Sequence, residues 1–104
     1  MADVSFSEKV YSLLGKVPRG KVTTYSALAR AAGRPGAARA VGTLMRKNAR
    51  PEEIPCYRVV RSDGSVGEYS GKGGAPGKAA MLKKDGLWII GRKISSLGSF
   101  LFRF

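Results

Sequence analysis

The chain contains a single cysteine, Cys56, and no histidine. A thiolate is a strong nucleophile near neutral pH, so this position invites a chemical reading. A lone cysteine is also, in many proteins, an inert buried small residue. The flanks of Cys56 shift the balance: Pro55 fixes the backbone ahead of it, and Arg58 brings a cation two residues later. A free cysteine has a pKa of about 8.5, so roughly 3% is thiolate at pH 7, and a positive field raises that fraction. The absence of histidine excludes Ser-His and Cys-His catalysis and most zinc sites. Activation must therefore come from the field, from backbone donors or from a water relay. Tyr57 and Asp85 are candidate relay members, although a tyrosine with a pKa near 10 is a poor base. One cysteine also excludes an internal disulfide and any Cys-x-x-Cys motif, so neither a metal nor another cofactor is expected.

The charge balance names the partner. Lys and Arg number 19 against 7 Asp and Glu, a net charge of +12 in 104 residues. Arg19, Lys21, Arg30, Arg34, Arg39, Arg46, Lys47 and Arg50 crowd the first half, and no acidic residue occurs between Ser12 and Pro51. Such a field is an ordinary solvated face or, more pointedly, a site for a polyanion such as nucleic acid or an acidic membrane surface. No stretch reaches the length of a signal peptide's apolar core or a membrane span. The expectation is a cytoplasmic or otherwise intracellular protein in a reducing compartment.

Four helices must position these groups. Phe6, Val10, Leu13, Leu14 and Val17 recur at helical spacing, and Ser5 with Glu8 forms a capping-box pair ahead of them. Lys21 to Tyr25 reads as a short extended stretch. A second helix is predicted from about Ser26 to Ala32, with Thr24 or Tyr25 near its cap and Gly33 as its stop. A third is predicted from Pro35 to about Lys47, with Asn48 in the left-handed conformation at its end. The tight Gly33-Arg34 turn between them resembles a helix-turn-helix. Gly36, Ala37, Ala38, Ala40 and Gly42 leave the third helix narrow, suited to close approach to a nucleic acid or to another helix. Arg61 to Val66 reads as a strand, an Asp63-Gly64 turn and a returning strand. Gly71 to Gly77 reads as a mobile loop, and a fourth helix is predicted from about Pro76 to Asp85, ended by Gly86. The tail from Leu87 to Phe104 has no clear assignment. The fold class expected is mainly α with a small β-hairpin, a winged-helix-like helix-turn-helix domain spanning 1–104.

Ile54-Pro55-Cys56-Tyr57-Arg58-Val59-Val60 resembles the active-site motif of the O6-alkylguanine-DNA alkyltransferases, which usually reads Pro-Cys-His-Arg-Val. Four further segments agree in order and spacing: Gly20 to Tyr25, Ala37 to Gly42, Asn48, and Val66 to Gly71. The resemblance runs from about Phe6 to Gly86 and concerns that family's C-terminal DNA-binding and active-site domain. It implies that duplex DNA is bound through the minor groove and that an O6-alkylguanine is rotated out of the stack. Cys56 would then take the alkyl group in a single turnover, with the thioether as a dead end. By the same resemblance Tyr25 turns the nucleotide and donates to the guanine, Arg39 fills the vacated space, and Asn48 is a hinge. Thr24, Ala37, Ala38, Ala40, Gly42 and Arg46 complete the DNA-binding set. Met45, Pro51, Val59, Tyr69 and Ser70 would line the pocket. Plainer roles exist for several of these: Tyr25 and Tyr69 as core or cap aromatics, Arg39 as a phosphate contact, Asp85 as a helix end.

The chain departs from the family pattern in four ways. Tyr57 replaces the usual histidine, Glu68 stands where asparagine is common, and the glycine-rich loop is two residues longer. The separate N-terminal domain of many members, with any metal site in it, is not expected. The predicted partner is double-stranded DNA containing O6-alkylguanine, met by a monomer with no membrane involved. A second reading is an alkyltransferase-like protein that binds the lesion and recruits excision-repair proteins without transfer. Such proteins commonly replace the cysteine with tryptophan or alanine, and here it is present. A third, a plain helix-turn-helix regulator, leaves Pro55-Cys56 and Tyr69-Ser70 unexplained.

Overall fold

The computed structural model describes residues 5–50, 53–67, 69 and 73–104. Its elements run α1 (Phe6–Leu14), β1 (Thr23–Thr24), α2 (Tyr25–Ala31), α3 (Ala38–Arg46), a 3-10 turn (Cys56–Arg58), β2 (Val59–Val60), α4 (Gly74–Lys84), β3 (Ile89–Ile90), β4 (Lys93–Ile94) and a second 3-10 turn (Leu97–Ser99). The mainly helical class with a small hairpin holds. No helix among the described residues is long and apolar enough to cross a membrane.

Local sequence explains most of the helix starts. Ser5 accepts the Glu8 N–H at 3.2 Å and opens α1, as its capping-box spacing predicts. Val10 and Leu14 on its inner face, with Val17 just beyond it, are fully buried. Thr24 accepts the Ala27 N–H at 3.1 Å and opens α2 one residue earlier than expected.

The third helix differs more. It starts at Ala38, not Pro35, because Gly36 takes φ +88° and a left-handed residue cannot sit inside a helix. Residues 34–37 form a turn instead, with Ala37 N–H donating to Arg34 O at 3.1 Å. Asn48 also departs from expectation, since Ser96 is the one non-glycine residue with positive φ among those described. In the described part of the glycine-rich loop, Gly73 is the left-handed N-cap of α4 and Gly74 to Gly77 form its first turn.

The hairpin lies elsewhere than predicted. The turn at Asp63-Gly64 exists, closed by Arg61 N–H to Ser65 O at 3.0 Å. Beyond that single bond the chain leaving the turn pairs with the tail: Ser65 bridges Lys93, and Val66 N–H donates to Arg92 O at 2.9 Å. The hairpin itself is β3–β4, with Ile89 opposite Ile94 around a Gly91-Arg92 loop. Gly91 at φ +64° supplies the turn that a two-residue hairpin loop requires.

A parallel strand pair organises the centre. Thr23 pairs with Val59 and Thr24 with Val60, and the crossover between the strands carries α2 and α3. The tail adds a third segment beside β1: Val22 bridges Leu101, with Val22 N–H to Phe100 O at 2.9 Å and Phe102 N–H to Val22 O at 2.8 Å. Two apolar cores flank this seam. One joins α1, α2 and α3 through Val10, Leu14, Leu28, Val41 and Met45, and includes Cys56 and Val59. The other joins α4 and the tail through Leu82, Leu87 and Ile94, and includes Tyr57 and Val60. Successive residues of the 56–60 segment therefore face opposite cores.

Candidate active site and DNA-facing cleft

The site is built around a short, tightly held turn. Pro55 has φ −77° and ψ 70°, an inverse γ-turn, with Cys56 N–H donating to Ile54 O at 2.8 Å. Proline suits this position because its ring already fixes φ near that value. Asn48 Nδ2 donates to the same Ile54 carbonyl at 2.8 Å, and its Oδ1 accepts from Arg50 N–H at 3.0 Å. Asn48 thus ties the end of α3 to the residues that precede Cys56.

Cys56 is 5% exposed and opens into a cleft of about 510 Å³. The described lining includes Tyr25, Arg39, Met45, Tyr69 and Arg61. That volume lies within the range of small-molecule sites, about 300–1,000 Å³. Parallel pairing accounts for the convergence. Tyr25 leaves the C-terminal end of β1 and Arg61 that of β2, one residue past the paired Thr24 and Val60.

Of the residues singled out from sequence, Cys56, Tyr25, Arg39, Met45, Tyr69, Ala38, Gly42 and Arg46 line this cleft. Arg39, Ala40 and Arg46 are exposed on α3, whereas Ala37 is half-buried against the first core. Thr24 is buried, and its hydroxyl is engaged in capping α2. Val59 is fully buried in the first core and does not line the cleft. Pro51, Ser70 and Glu68 lie outside the described residues.

Tyr57 and Asp85 meet, on the far side of the seam. Tyr57 Oη donates to Asp85 Oδ2 at 2.6 Å and accepts from Arg58 Nε at 3.1 Å. Arg58 also donates to Val17 O at 2.8 Å, and Arg19 Nε donates to Asp85 Oδ1 at 3.0 Å. Burial, and then the bond to Asp85, push the Tyr57 pKa above its ordinary value. Tyr57 is accordingly a protonated donor across the neutral range. Part of the basic charge in the first half is spent locally: Arg19 on Asp85, Arg50 on Glu53, and Arg34 over the Phe6 ring at 4.9 Å.

Three contributors were not legible as site residues. Lys78 on α4 is 1% exposed, and its Nζ lies 2.7 Å from Val59 O and 3.4 Å from Tyr25 Oη. Burial lowers its pKa to about 8, a shift that nearby Cys56 opposes and Arg61 assists. Tyr11 donates to Leu44 O at 2.7 Å, and burial, then Cys56, raise its pKa. Arg61 is the third. The available signal for Lys78 was its helical register with Leu82 in an alanine-rich, otherwise apolar face.

Comparison with known proteins agrees with this geometry. Residues 5–87 match the family model described as the DNA binding domain of 6-O-methylguanine DNA methyltransferase. The chain is 44% identical over 94 residues to a bifunctional methyltransferase/endonuclease of Thermoplasma volcanium, covering 90% of this chain and 29% of that protein. It is 49% identical over 84 residues to a methylated-DNA--protein-cysteine methyltransferase of Rattus norvegicus, covering 80% of this chain and 40% of that one. This chain thus spans roughly a third of the length of such curated relatives. Among solved structures, S. pombe Atl1 in complex with damaged DNA containing O6-carboxymethylguanine aligns over 99% of both chains, with a TM-score of 0.84 at 29% identity. The Mycobacterium tuberculosis OGT in complex with DNA aligns over 81% of this chain and 51% of that one, with a TM-score of 0.73 at 33% identity.

Proposed function

The chain belongs to the 6-O-methylguanine DNA methyltransferase DNA-binding-domain family, and from that premise we propose that it repairs O6-alkylguanine in duplex DNA by a single transfer of the alkyl group to Cys56. The observation that carries this reading is a thiol at a Pro55-fixed turn, opening into the same cleft as Tyr25, Arg39 and Tyr69. The domain 1–104 would act as one unit, with the exposed Arg39, Ala40 and Arg46 of α3 toward the DNA. Its positive field draws the duplex in, and base rotation brings the lesion into the cleft.

The residues supply a balanced route. The sulfur–carbon bond forms as the carbon–O6 bond breaks, and the bonding pair stays on the guanine. The thiol loses a proton, and the departing guanine gains one. Tyr25 would give the departing guanine its proton and regain one from Lys78, from which its oxygen accepts. Met45 and Tyr69 give the pocket apolar walls. For the thiol proton to be relayed, a water would have to reach from Cys56 across the seam to Tyr57 Oη, which gives its own proton to Asp85. Asn48 would position the nucleophile through Ile54. The thioether offers no leaving group for a further displacement, so it ends the reaction.

The test is an intact mass and peptide map after mixing with a duplex carrying one O6-methylguanine. A gain of one CH2 on the Cys56 peptide, with guanine restored in the DNA, is expected. The whole-chain likeness to S. pombe Atl1 favours a second reading, a lesion-binding protein that recruits excision repair. Tight lesion-selective binding with no change in mass is the result that would select it.

A further inference from the structure

Resting on the proposed recognition of O6-alkylguanine, we propose that Arg61 is a specificity-determining residue that favours O6-alkyl adducts ending in an anion, the carboxymethyl group being the simplest. The charged side chains on the described lining of the cleft are Arg39, Arg46 and Arg61, and no carboxylate is among them. Arg39 and Arg46 belong to α3 and to the proposed DNA face. Arg61 comes from a different wall, where the parallel register sets it beside Tyr25.

Its approach to Tyr25 has independent support. A Cβ placed on Gly67 would lie 3.6 Å from Arg61 Nε and 3.5 Å from Tyr25 Oη, so the two side chains approach the same point. The charge of Arg61 also reaches buried Lys78. No described residue hydrogen-bonds the Arg61 guanidinium. Asp63, the acidic residue nearest in sequence, spends Oδ1 on the Ser65 N–H at 2.9 Å and hydroxyl at 2.7 Å.

A guanidinium in this position matches the planar fork of a carboxylate. Cys56 shares the cleft, so an adduct presented to its sulfur projects its substituent among these walls. A methyl adduct offers Arg61 nothing to pair with. Arg61 itself is exposed, and a carboxymethyl adduct held between it and the cleft walls brings a carboxylate within reach of a charge-assisted pair.

The experiment compares affinities for three otherwise identical duplexes: undamaged, with one O6-methylguanine, and with one O6-carboxymethylguanine. All proteins carry Cys56→Ser so that no transfer intervenes, and salt is fixed. Adding Arg61→Met should weaken carboxymethyl binding about tenfold or more, the scale of one hydrogen bond to a charged group, and leave the other two within about threefold. Arg61→Lys should keep part of the preference, which separates lost charge from a damaged fold. Equal weakening on all three duplexes would make Arg61 a phosphate contact and overturn the proposal, as would no effect on any. Failure of the parent to distinguish O6-methylguanine from undamaged DNA would overturn the lesion reading itself.

Discussion

Lys78→Met separates the needs of the fold from those of the site. The fall in the Lys78 pKa from 10.5 to about 8, at about 1.4 kcal/mol per pH unit, means that holding the ammonium at pH 7 costs the native state roughly 3 kcal/mol. Methionine of similar length removes that cost. It also leaves Val59 O without its 2.7 Å donor, a loss of about 1–3 kcal/mol for a buried carbonyl. The variant should therefore match or exceed the parent in stability at pH 7, by up to about 2 kcal/mol. Above pH 8 the unfolded chain still binds the Lys78 proton, whereas the native state has begun to release it, so stability rises with pH. The parent should gain up to about 2 kcal/mol between pH 8 and pH 9.5, and Lys78→Met should lack that gain. Tyr11, Tyr57 and Tyr69, with raised pKa values, lose protons above this window. Urea unfolding at half-unit pH steps measures both curves. Parallel curves, with the variant destabilised at every pH, would show that the ammonium is not paying a burial cost and would refute the reasoning. The same variant should slow transfer severalfold, because Tyr25 loses its donor.

Four further outcomes follow from the geometry. Tyr57→Phe removes the 2.6 Å bond to Asp85 and should cost about 1–2 kcal/mol; it should also move the pH–rate profile toward alkaline pH, and an unmoved profile would take Tyr57 out of the relay. Asn48→Ala removes one of the two donors to the Ile54 carbonyl, leaving Cys56 N–H, and should destabilise by about 1 kcal/mol, while slowing transfer more than it weakens DNA binding, as read from single-turnover rates against affinities. Arg39→Ala should reduce lesion capture more than nonspecific binding in titrations across salt, with both falling steeply as salt rises; equal losses would reduce Arg39 to a phosphate contact. Methylation of the 5% exposed Cys56 inserts a carbon beside a packed core and should lower stability by about 1–3 kcal/mol, measurable as a drop in Tm after stoichiometric reaction.

Local chemistry was readable wherever it was decided within a few residues. The Ser5 and Thr24 caps, the Pro55-Cys56 turn and the exposed arginines of α3 belong to that class. The start of α3 is not legible, because Pro35 favours a first helical turn while Gly36 takes the left-handed conformation that forbids one. Asp63-Gly64 carries strong turn residues, yet strand pairing is decided by which segment arrives alongside, and here that is the tail. Ile89 to Ile94, with its Gly91-Arg92 centre, carried the two-residue loop signal in the unassigned tail. Val59 was assigned to the pocket from the motif, but the alternation of a strand turns it into the core. Arg61 and Lys78 reach the site only through register and helix docking, which no short window of sequence contains.

The bridge between Val22 and Leu101 has a consequence for the order of events during synthesis. The strand that delivers Tyr25 to the cleft is flanked by partners made much later: Val59 and Val60 on one side, and the tail near Leu101 on the other. Neither is a local contact, and each loop closes at an entropic cost before any pairing repays it. On the ribosome, α1 to α3 can collapse early, but β1 keeps an open edge until the segment around Leu101 has emerged. A nascent chain stalled before that point would hold Cys56 in a half-built seam, with Val22 uncovered and an unpaired strand available to neighbouring chains.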